Sequence, residues 1–343
     1  MISTTTLIPR ATSRLLGNKV VATTTCKLCK RLVTTANVPV LEKVGNFTLP
    51  IEPERQYETG QTFLHRVFAY RGVILHPWHA TIYERNRDTT NNTLGVDSKK
   101  TTASSSKTET YYQVLMDMRD SPHVAAHSEA VTFLHSMNAG LNQSLYTIPG
   151  LDYVSHDDIL PYTPADVQPP IKHDLYERFL HYDQATGTTV PSDMLQTWQT
   201  THHHCLQLGK VHKETTENIR VTAIPFYLGV KTNQNNTDAP SEFWWRYCIR
   251  IENLGKIPAR LRERHWRIIS NGSVKTVRGR GITGKEPLLD AETPVFQYSS
   301  HISLLSSSGH VWGTYRFEKE NGEQFDARIP AFALESKPMT DQD

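Results

Sequence analysis

The sequence predicts a mainly β protein in two parts, the second of them a β-sandwich. Three observations carry this. From Ile219 onward, short apolar stretches recur at close spacing with glycine or asparagine between them, the pattern of a sandwich or barrel. In Trp244 to Ile251, the strand period of two puts Trp245, Tyr247, Ile249 and Ile251 on one face and Trp244, Arg246, Cys248 and Arg250 on the other. Asn321-Gly322, between Phe317 and Phe325, is a strong hairpin signal.

The elements follow in order. Residues 1–41 hold six basic residues (Arg10, Arg14, Lys19, Lys27, Lys30, Arg31), eleven Ser or Thr and no acid. That is the composition of a mitochondrial transit peptide, which a matrix-negative potential draws inward. We assign 1–50 to such a leader, with removal expected near residue 50. Residues 57–85 read as strands, with Phe63, Val67, Val73, Ile74, Leu75 and Ile82 as strand formers. The polar stretch 86–110 cannot bury a core and reads as a mobile loop between strands, the second starting at Tyr111. Residues 128–138 read as a short helix with Ser128 as N-cap. Pro161, Pro164, Pro169 and Pro170 mark the exit from a first domain, 51–165. A helical connector, 166–210, is expected to carry helices near 173–182 and 192–200. The second domain, 211–337, opens with a strand from Ile219 that Pro225 closes. Further strands are expected at 264–269, 274–278, 295–299, 311–317 and 325–329, and 338–343 is a tail.

The chain has 343 residues, with 37 Lys+Arg against 35 Asp+Glu. No apolar run of about 18 residues is present, so no membrane span is expected. Four cysteines cannot make a disulfide scaffold, and Cys205 and Cys248 read as free thiols. The net charge of +2 conceals opposed blocks. Residues 42–245 carry a net −7, 246–285 a net +9 and 286–343 a net −6. One short block is therefore strongly basic.

Several motifs bear on chemistry. Gly279-Arg280-Gly281-Ile282-Thr283-Gly284 fits GxGxxG, but Lys285-Glu286-Pro287 follows where a dinucleotide site needs a helix. The loop reads instead as a glycine turn between strands, or as an anion nest flanked by Arg278, Arg280 and Lys285. Arg260, Arg262 and Arg264 would share one face of a regular strand. They are candidates to contact a partner's acids or nucleic-acid phosphates, with internal pairing to the acids of 286–343 as the alternative. Trp266 continues the Arg264 face, where it serves either as sandwich core or as a base-stacking ring. Cys26-Lys27-Leu28-Cys29 lacks the second ligand pair of a structural zinc site. His202-His203-His204-Cys205 cannot all face one ion. His156-Asp157-Asp158 reads as a capped turn. GxSxG, HExxH and P-loop signatures are missing, so no catalytic residue, metal or cofactor is expected. The candidate partner- or anion-binding residues are Arg260, Arg262, Arg264, Arg278, Gly279, Arg280, Gly281, Gly284 and Lys285.

Two resemblances extend this reading. Arg220–Tyr227, Trp244–Asn253, Arg262–Ile268, Val277–Gly284, Tyr298–Ser300, Gly309–Gly313 and Ile329–Phe332 resemble an ApaG domain, which implies a fibronectin type III or immunoglobulin-like β-sandwich. Gly60-Gln61, His65, Tyr70–Val73, Tyr112–Asp117 and Asp157–Pro161 resemble a YccV/HspQ-type domain, which implies a β-barrel. Bacterial relatives of that type are linked to hemimethylated DNA and regulated proteolysis. The order leader, YccV-like part, ApaG domain resembles a family of adaptors that associate with DNA polymerase delta. That resemblance implies a non-enzymatic adaptor, mitochondrial with nuclear and cytoplasmic pools. The implied partners are a DNA polymerase delta subunit, the sliding clamp, a primase-polymerase, nucleoid proteins and the ClpXP protease. Direct nucleic-acid binding by the basic block is the alternative, and a pyrophosphate-binding enzyme at the glycine loop the least favoured.

Overall fold

The computed structural model describes residues 44–87, 105–124, 131–138, 141–165, 169–232, 240–282 and 284–336. The first half carries β1 (Gly45–Phe47), β2 (Thr62–His65), β3 (Arg71–Arg87), β4 (Ser105–Met116), β5 (Val131–Asn138), β6 (Leu141–Ile148), β7 (Leu151–Ser155) and β8 (Ile159–Pro164). A connector follows with α1 (Tyr176–Phe179), β9 (Leu180–Asp183), β10 (Thr188–Pro191) and α2 (Asp193–Leu206). The second half carries β11 (Lys210–Thr216), β12 (Ile219–Lys231), β13 (Glu242–Asn253), β14 (Ala259–Ser270), β15 (Ser273–Arg280), β16 (Leu288–Leu289), β17 (Val295–Leu304), β18 (Ser308–Lys319) and β19 (Gln324–Glu335).

One ten-stranded sheet runs through both halves in the order β1-β8-β2-β3-β11-β12-β13-β17, with β4 on β3 and β7 on β4. The crossing point is β3, seventeen residues long. Its beginning pairs with β2, its length with β4, and its end runs parallel to β11 from Thr81↔Lys210 to Arg87↔Thr216. A second sheet, β15-β14-β18-β19 with β16 on β14, faces β12, β13 and β17. Trp245, Ile249 and Ile251 fill the space between, against Trp266, Tyr315 and Phe332. The predicted sandwich and its strand alternation are therefore observed. The hairpin turn is too: Phe317 pairs with Phe325, and Gly322 takes φ +81°.

The first half curls β8-β2-β3-β4-β7 around Phe63, Tyr70, Ile74, Tyr112 and Ile159. Among the described residues no backbone ladder joins β7 to β8. A 3-10 turn at His156–Asp158 carries the chain between them instead.

A third core joins the halves. Val73, Leu75, Ile82 and Tyr153 meet Ile224 and Phe226 of β12, and Leu195, Cys205 and Leu206 of α2 seal the same space. The sheet face that carries Arg246, Cys248 and Arg250 is thus covered rather than solvated. Ser192 caps α2, accepting from the Leu195 amide at 3.3 Å.

Several expectations change. Residues 131–138 form β5, paired with β6, rather than a helix, because an adjacent antiparallel partner overrides weak helical patterning. The loop 86–110 is shorter than expected. Residues 86–87 and 105–110 are strand, since Thr108, Glu109 and Thr110 continue the β3–β4 ladder; 88–104 lie outside the described residues. Pro225 does not end β12. It sits just past the last β11 partner, Ala223, where the strand is paired on one side only and tolerates proline. In the connector only α2 is a substantial helix, and residues 180–191 form the β9–β10 hairpin. Residues 1–43, including Cys26 and Cys29, lie outside the described residues. β1 pairs with β8 (Asn46↔Thr163), so cutting at residue 50 would remove this strand.

Candidate functional site

The basic block is divided by a bulge. In β14, Leu261 pairs with Phe317 and Glu263 with Arg316, leaving Arg262 as an extra residue. Alternation inverts there. Ala259 and Leu261 are buried before the bulge, Trp266 and Ile268 after it. Arg260 and Arg262 therefore face outward, whereas Arg264 shares the inward side with Trp266. The single stripe expected of Arg260, Arg262 and Arg264 does not form. The Arg264 guanidinium lies beside Gly279, where a Cβ would stand 3.4 Å from its Nε, an ordinary contact. Trp266 is core, 5.1 Å from the Tyr247 ring, and not a stacking platform.

The outward arginines are largely neutralised. Arg262 meets Glu286 at 2.7 Å and Glu318 at 3.0 Å. Arg280 also pairs with Glu286, and Arg260 donates to the Glu286 carbonyl at 3.2 Å. The Arg262 and Arg280 guanidiniums hold the Glu286 carboxyl below its ordinary range, and Arg262 does the same for Glu318. Internal pairing is thus what the structure shows for this part of the block.

The glycine loop turns inward. Gly281 takes φ +59°, and a Cβ there would stand 2.2 Å from the Lys285 carbonyl oxygen. Its amide donates to Arg262 O at 2.8 Å, the Ile282 amide to Lys285 O at 2.8 Å and the Lys285 amide to Ile282 O at 2.9 Å. Three N–H groups that an anion nest would present are already used. Gly284 (φ +81°) and Lys285 lie on the exposed side of this turn.

Unneutralised charge lies one row further along the outer face of the second sheet. Arg278, His265, Thr314 and Arg328 stand in register across β15, β14, β18 and β19. The next row is Thr276, Arg267 and Trp312. β19 bulges against β18 here, with Pro330 and Ala331 opposite the single residue Trp312, whose indole is half-buried. Arg267, Arg278 and Arg328 are exposed, and none has a carboxylate partner among the described residues. Arg85, from the end of β3, lines the same groove of about 530 Å³ with Arg267, Trp312 and Arg328. Partial burial, then the charges of Arg278 and Arg267, push the His265 pKa down.

Of the sequence-level candidates, Arg278 belongs to this open patch, and Arg260, Arg262 and Arg280 belong to the paired one. Arg264 lies half-buried on the inward side beside Gly279, and Gly281 and Gly284 serve backbone geometry. Sequence reasoning missed Arg328 and Arg85 as members because both lie in acidic stretches. Alternation of Asp326 and Arg328 with Phe325, Ala327 and Ile329 was the available signal for Arg328. Nothing local marked Arg85.

In His156-Asp157-Asp158, the His156 and Asp158 side chains are held in structural contacts. The His156 ring bridges the Tyr112 hydroxyl at 3.0 Å and the Ile51 carbonyl at 3.1 Å. Asp158 accepts from Arg250 of β13 at 2.5 Å, an ion pair across the two halves rather than a cap. Among the described residues no group of three or more His, Cys, Asp or Glu is placed to hold a metal, and no helix is long and apolar enough to cross a membrane.

This architecture is that of a two-part β protein joining a YccV-like half to an ApaG domain. A family model described as "Hemimethylated DNA-binding protein YccV like" matches residues 55–186, and one described as "ApaG domain" matches 233–319. The chain is 55% identical to polymerase delta-interacting protein 2 of Mus musculus and 54% identical to that of Homo sapiens, in each case over 87% of this chain and 80% of the relative. It is 36% identical to Protein ApaG of Methylocella silvestris over 37% of this chain and 94% of that protein. The chain belongs to the polymerase delta-interacting protein 2 family.

Proposed function

We propose that the protein is a non-enzymatic adaptor that binds DNA-replication and damage-tolerance proteins and mitochondrial nucleoid or ClpXP protease partners. Its place of action in this reading is the mitochondrial matrix, with a nuclear or cytoplasmic pool. The name of these relatives supports an interaction with polymerase delta. The observation that carries the reading is the open patch of Arg267, Arg278 and Arg328 beside Trp312. Unpaired guanidiniums on a flat sheet face attract an acidic partner surface and speed encounter. The test is binding of the purified chain to a DNA polymerase delta subunit. Replacing Arg267, Arg278 and Arg328 with alanine is expected to lower the association rate about tenfold or more at low salt. Replacing Arg262 and Arg280, already paired with Glu286, has a smaller effect. Unchanged association by the triple variant removes the patch from the interface.

A second reading is favoured by Trp312, whose half-exposed indole sits in register with Arg267. An aromatic ring among guanidiniums suits single-stranded nucleic acid. Three phosphate contacts give a slope of log K against log salt of about −2 for a single strand. Loss of that slope in the triple variant supports nucleic-acid contact, and salt-independent binding or none rejects it.

A further inference from the structure

The two edges of the second sheet differ. The β19 edge is stopped. There the Arg328 amide donates to Thr216 Oγ1 at 3.3 Å, the Trp245 indole donates to the Glu335 carbonyl at 3.2 Å, and Pro330 has no N–H to offer. At the other edge β15 is the last strand, and among the described residues nothing pairs with it beyond β14. It runs eight residues, Ser273–Arg280, in unbroken register with β14 and without proline. Edge strands of this length are usually blunted by a bulge, a proline or a covering element; β15 has charge alone.

Register fixes which backbone groups of β15 are free. The Gly281 amide donates to Arg262 O, one step past the Glu263↔Arg280 pair. At the other end Ser270↔Ser273 closes the hairpin over Asn271 and Gly272, with φ +49° and +71°. Hydrogen-bonded and non-hydrogen-bonded pairs alternate along an antiparallel ladder. Ser273, Lys275, Val277 and Gly279 therefore turn their N–H and C=O groups to β14. Val274, Thr276, Arg278 and Arg280 turn theirs away from the sheet. The same four carry their side chains on the outer face, since Arg278 stands opposite His265 while Val277 stands opposite the buried Trp266. All four are exposed. The edge thus offers donors and acceptors at every second residue, with a row of side chains beside them.

Charge selects the occupant. β15 carries Lys275, Arg278 and Arg280 and no acid. Glu286 takes Arg280, whereas Arg278 has no ion pair among the described residues. Arg267 stands opposite Thr276 in the neighbouring strand. A second copy of the chain would crowd both sets of cations into one seam, and like charges across a strand pair are unfavourable. Carboxylates opposite Thr276 and Arg278 reverse that sign. We propose that β15 accepts an extended acidic segment of a partner protein as an added strand, in which glutamate or aspartate alternates with β-forming residues. This assignment, which rests on the adaptor reading, gives the partner a form: main-chain pairing holds it, and Arg278 selects its charge.

The test uses the full chain and a fluorescent peptide, acetyl-Thr-Val-Glu-Val-Glu-Glu-Val-amide. In antiparallel addition its third and fifth residues face Arg278 and Thr276. Anisotropy is expected to show binding, with a glutamine counterpart about tenfold weaker. Methyl groups on the third and fifth amide nitrogens block the bonds to the edge and are expected to abolish binding. A methyl group on the fourth, which points away, leaves binding within about twofold. Thr276→Pro removes an outward N–H but no charge and is expected to weaken binding about tenfold. The methylated peptides keep the test valid if that variant fails to fold. No binding of the acidic peptide to the parent chain overturns the proposal, and so does equal binding of the methylated forms. A dimer of the free chain that Thr276→Pro dissolves also overturns it, because the second copy then holds the edge. Association with the polymerase delta subunit separates this assignment from the adaptor reading. If the Arg267, Arg278 and Arg328 variant slows that association and Thr276→Pro does not, the adaptor reading stands and the added strand is rejected. Peptide binding with no association of the subunit keeps the added strand and rejects that partner.

Discussion

Replacing Asp158 with Asn probes how the two halves hold together. The Asp158 carboxylate accepts from Arg250 Nη1 at 2.5 Å and from Ser155 Oγ at 2.9 Å, with the two ion-pair side chains only 11% and 17% exposed. Burial alone would raise the Asp158 pKa. Arg250 and then His65 outweigh it, and the carboxyl sits below the ordinary aspartate range. Removing one partner of a buried pair typically costs about 3–5 kcal/mol. Arg250 keeps Glu252 at 3.0 Å, so the loss is nearer the value of one charged hydrogen bond, about 2–3 kcal/mol. The assay is urea denaturation, where the midpoint falls with an unchanged m-value. The melting temperature falls with it, by roughly 5–10 °C. In an Arg250→Met background the same change costs less than about 1 kcal/mol, because the residues share one interaction. The sign with pH follows from the depressed pKa. The contribution is present above the unfolded value and is lost as pH falls through the folded one, so parent and variant converge in acid. A single variant within about 0.5 kcal/mol of the parent, or two single losses that simply add, would refute the reasoning.

Other expectations follow from the same geometry. His65 is buried with its pKa pushed down to about 3, and its Nδ1 accepts from the amides of Val67 and Phe68. The folded state thus binds fewer protons than the unfolded one as pH drops below 6.5. Stability should fall by about 2–3 kcal/mol between pH 6.5 and 4.5, a slope that His65→Asn flattens in urea melts. Gly313→Ala would place a Cβ 2.0 Å from the His265 carbonyl oxygen, a backbone atom that cannot step aside. A loss of at least about 2 kcal/mol is expected, measured as a lower urea midpoint. Trp245→Ala, at the centre of the sandwich, should cost about 3–5 kcal/mol; a loss under 1 kcal/mol would mean the core lies elsewhere.

The sandwich was legible because its signals are local: alternation in Trp244–Ile251, the Asn-Gly turn, and glycines between strands. What local signals hid was pairing at a distance. Residues 131–138 became a strand because β6 lies alongside, and 105–110 became strand because β3 continues past Ile82. The candidate site suffered in the same way. Counting by twos through Arg260, Arg262 and Arg264 assumes an unbroken register, and one bulged residue sends Arg264 to the opposite face. The patch that remains open draws on four strands and on β3, from stretches of opposite net charge. Arg246 was correctly placed on the face opposite Trp245, but its burial depends on the first half covering that face.

The parallel pairing of β3 with β11 runs the full seven-residue length of β11. A flexible linker lets two modules drift and sets their mutual concentration by chain entropy. Here the backbone ladder sets a fixed distance and bearing between them. Whatever docks on the outer face of the second sheet is held at a defined offset from whatever docks on the first half. The chain acts as a ruler rather than a leash. Lengthening the connector would not change that spacing, because the spacing is written in the sheet.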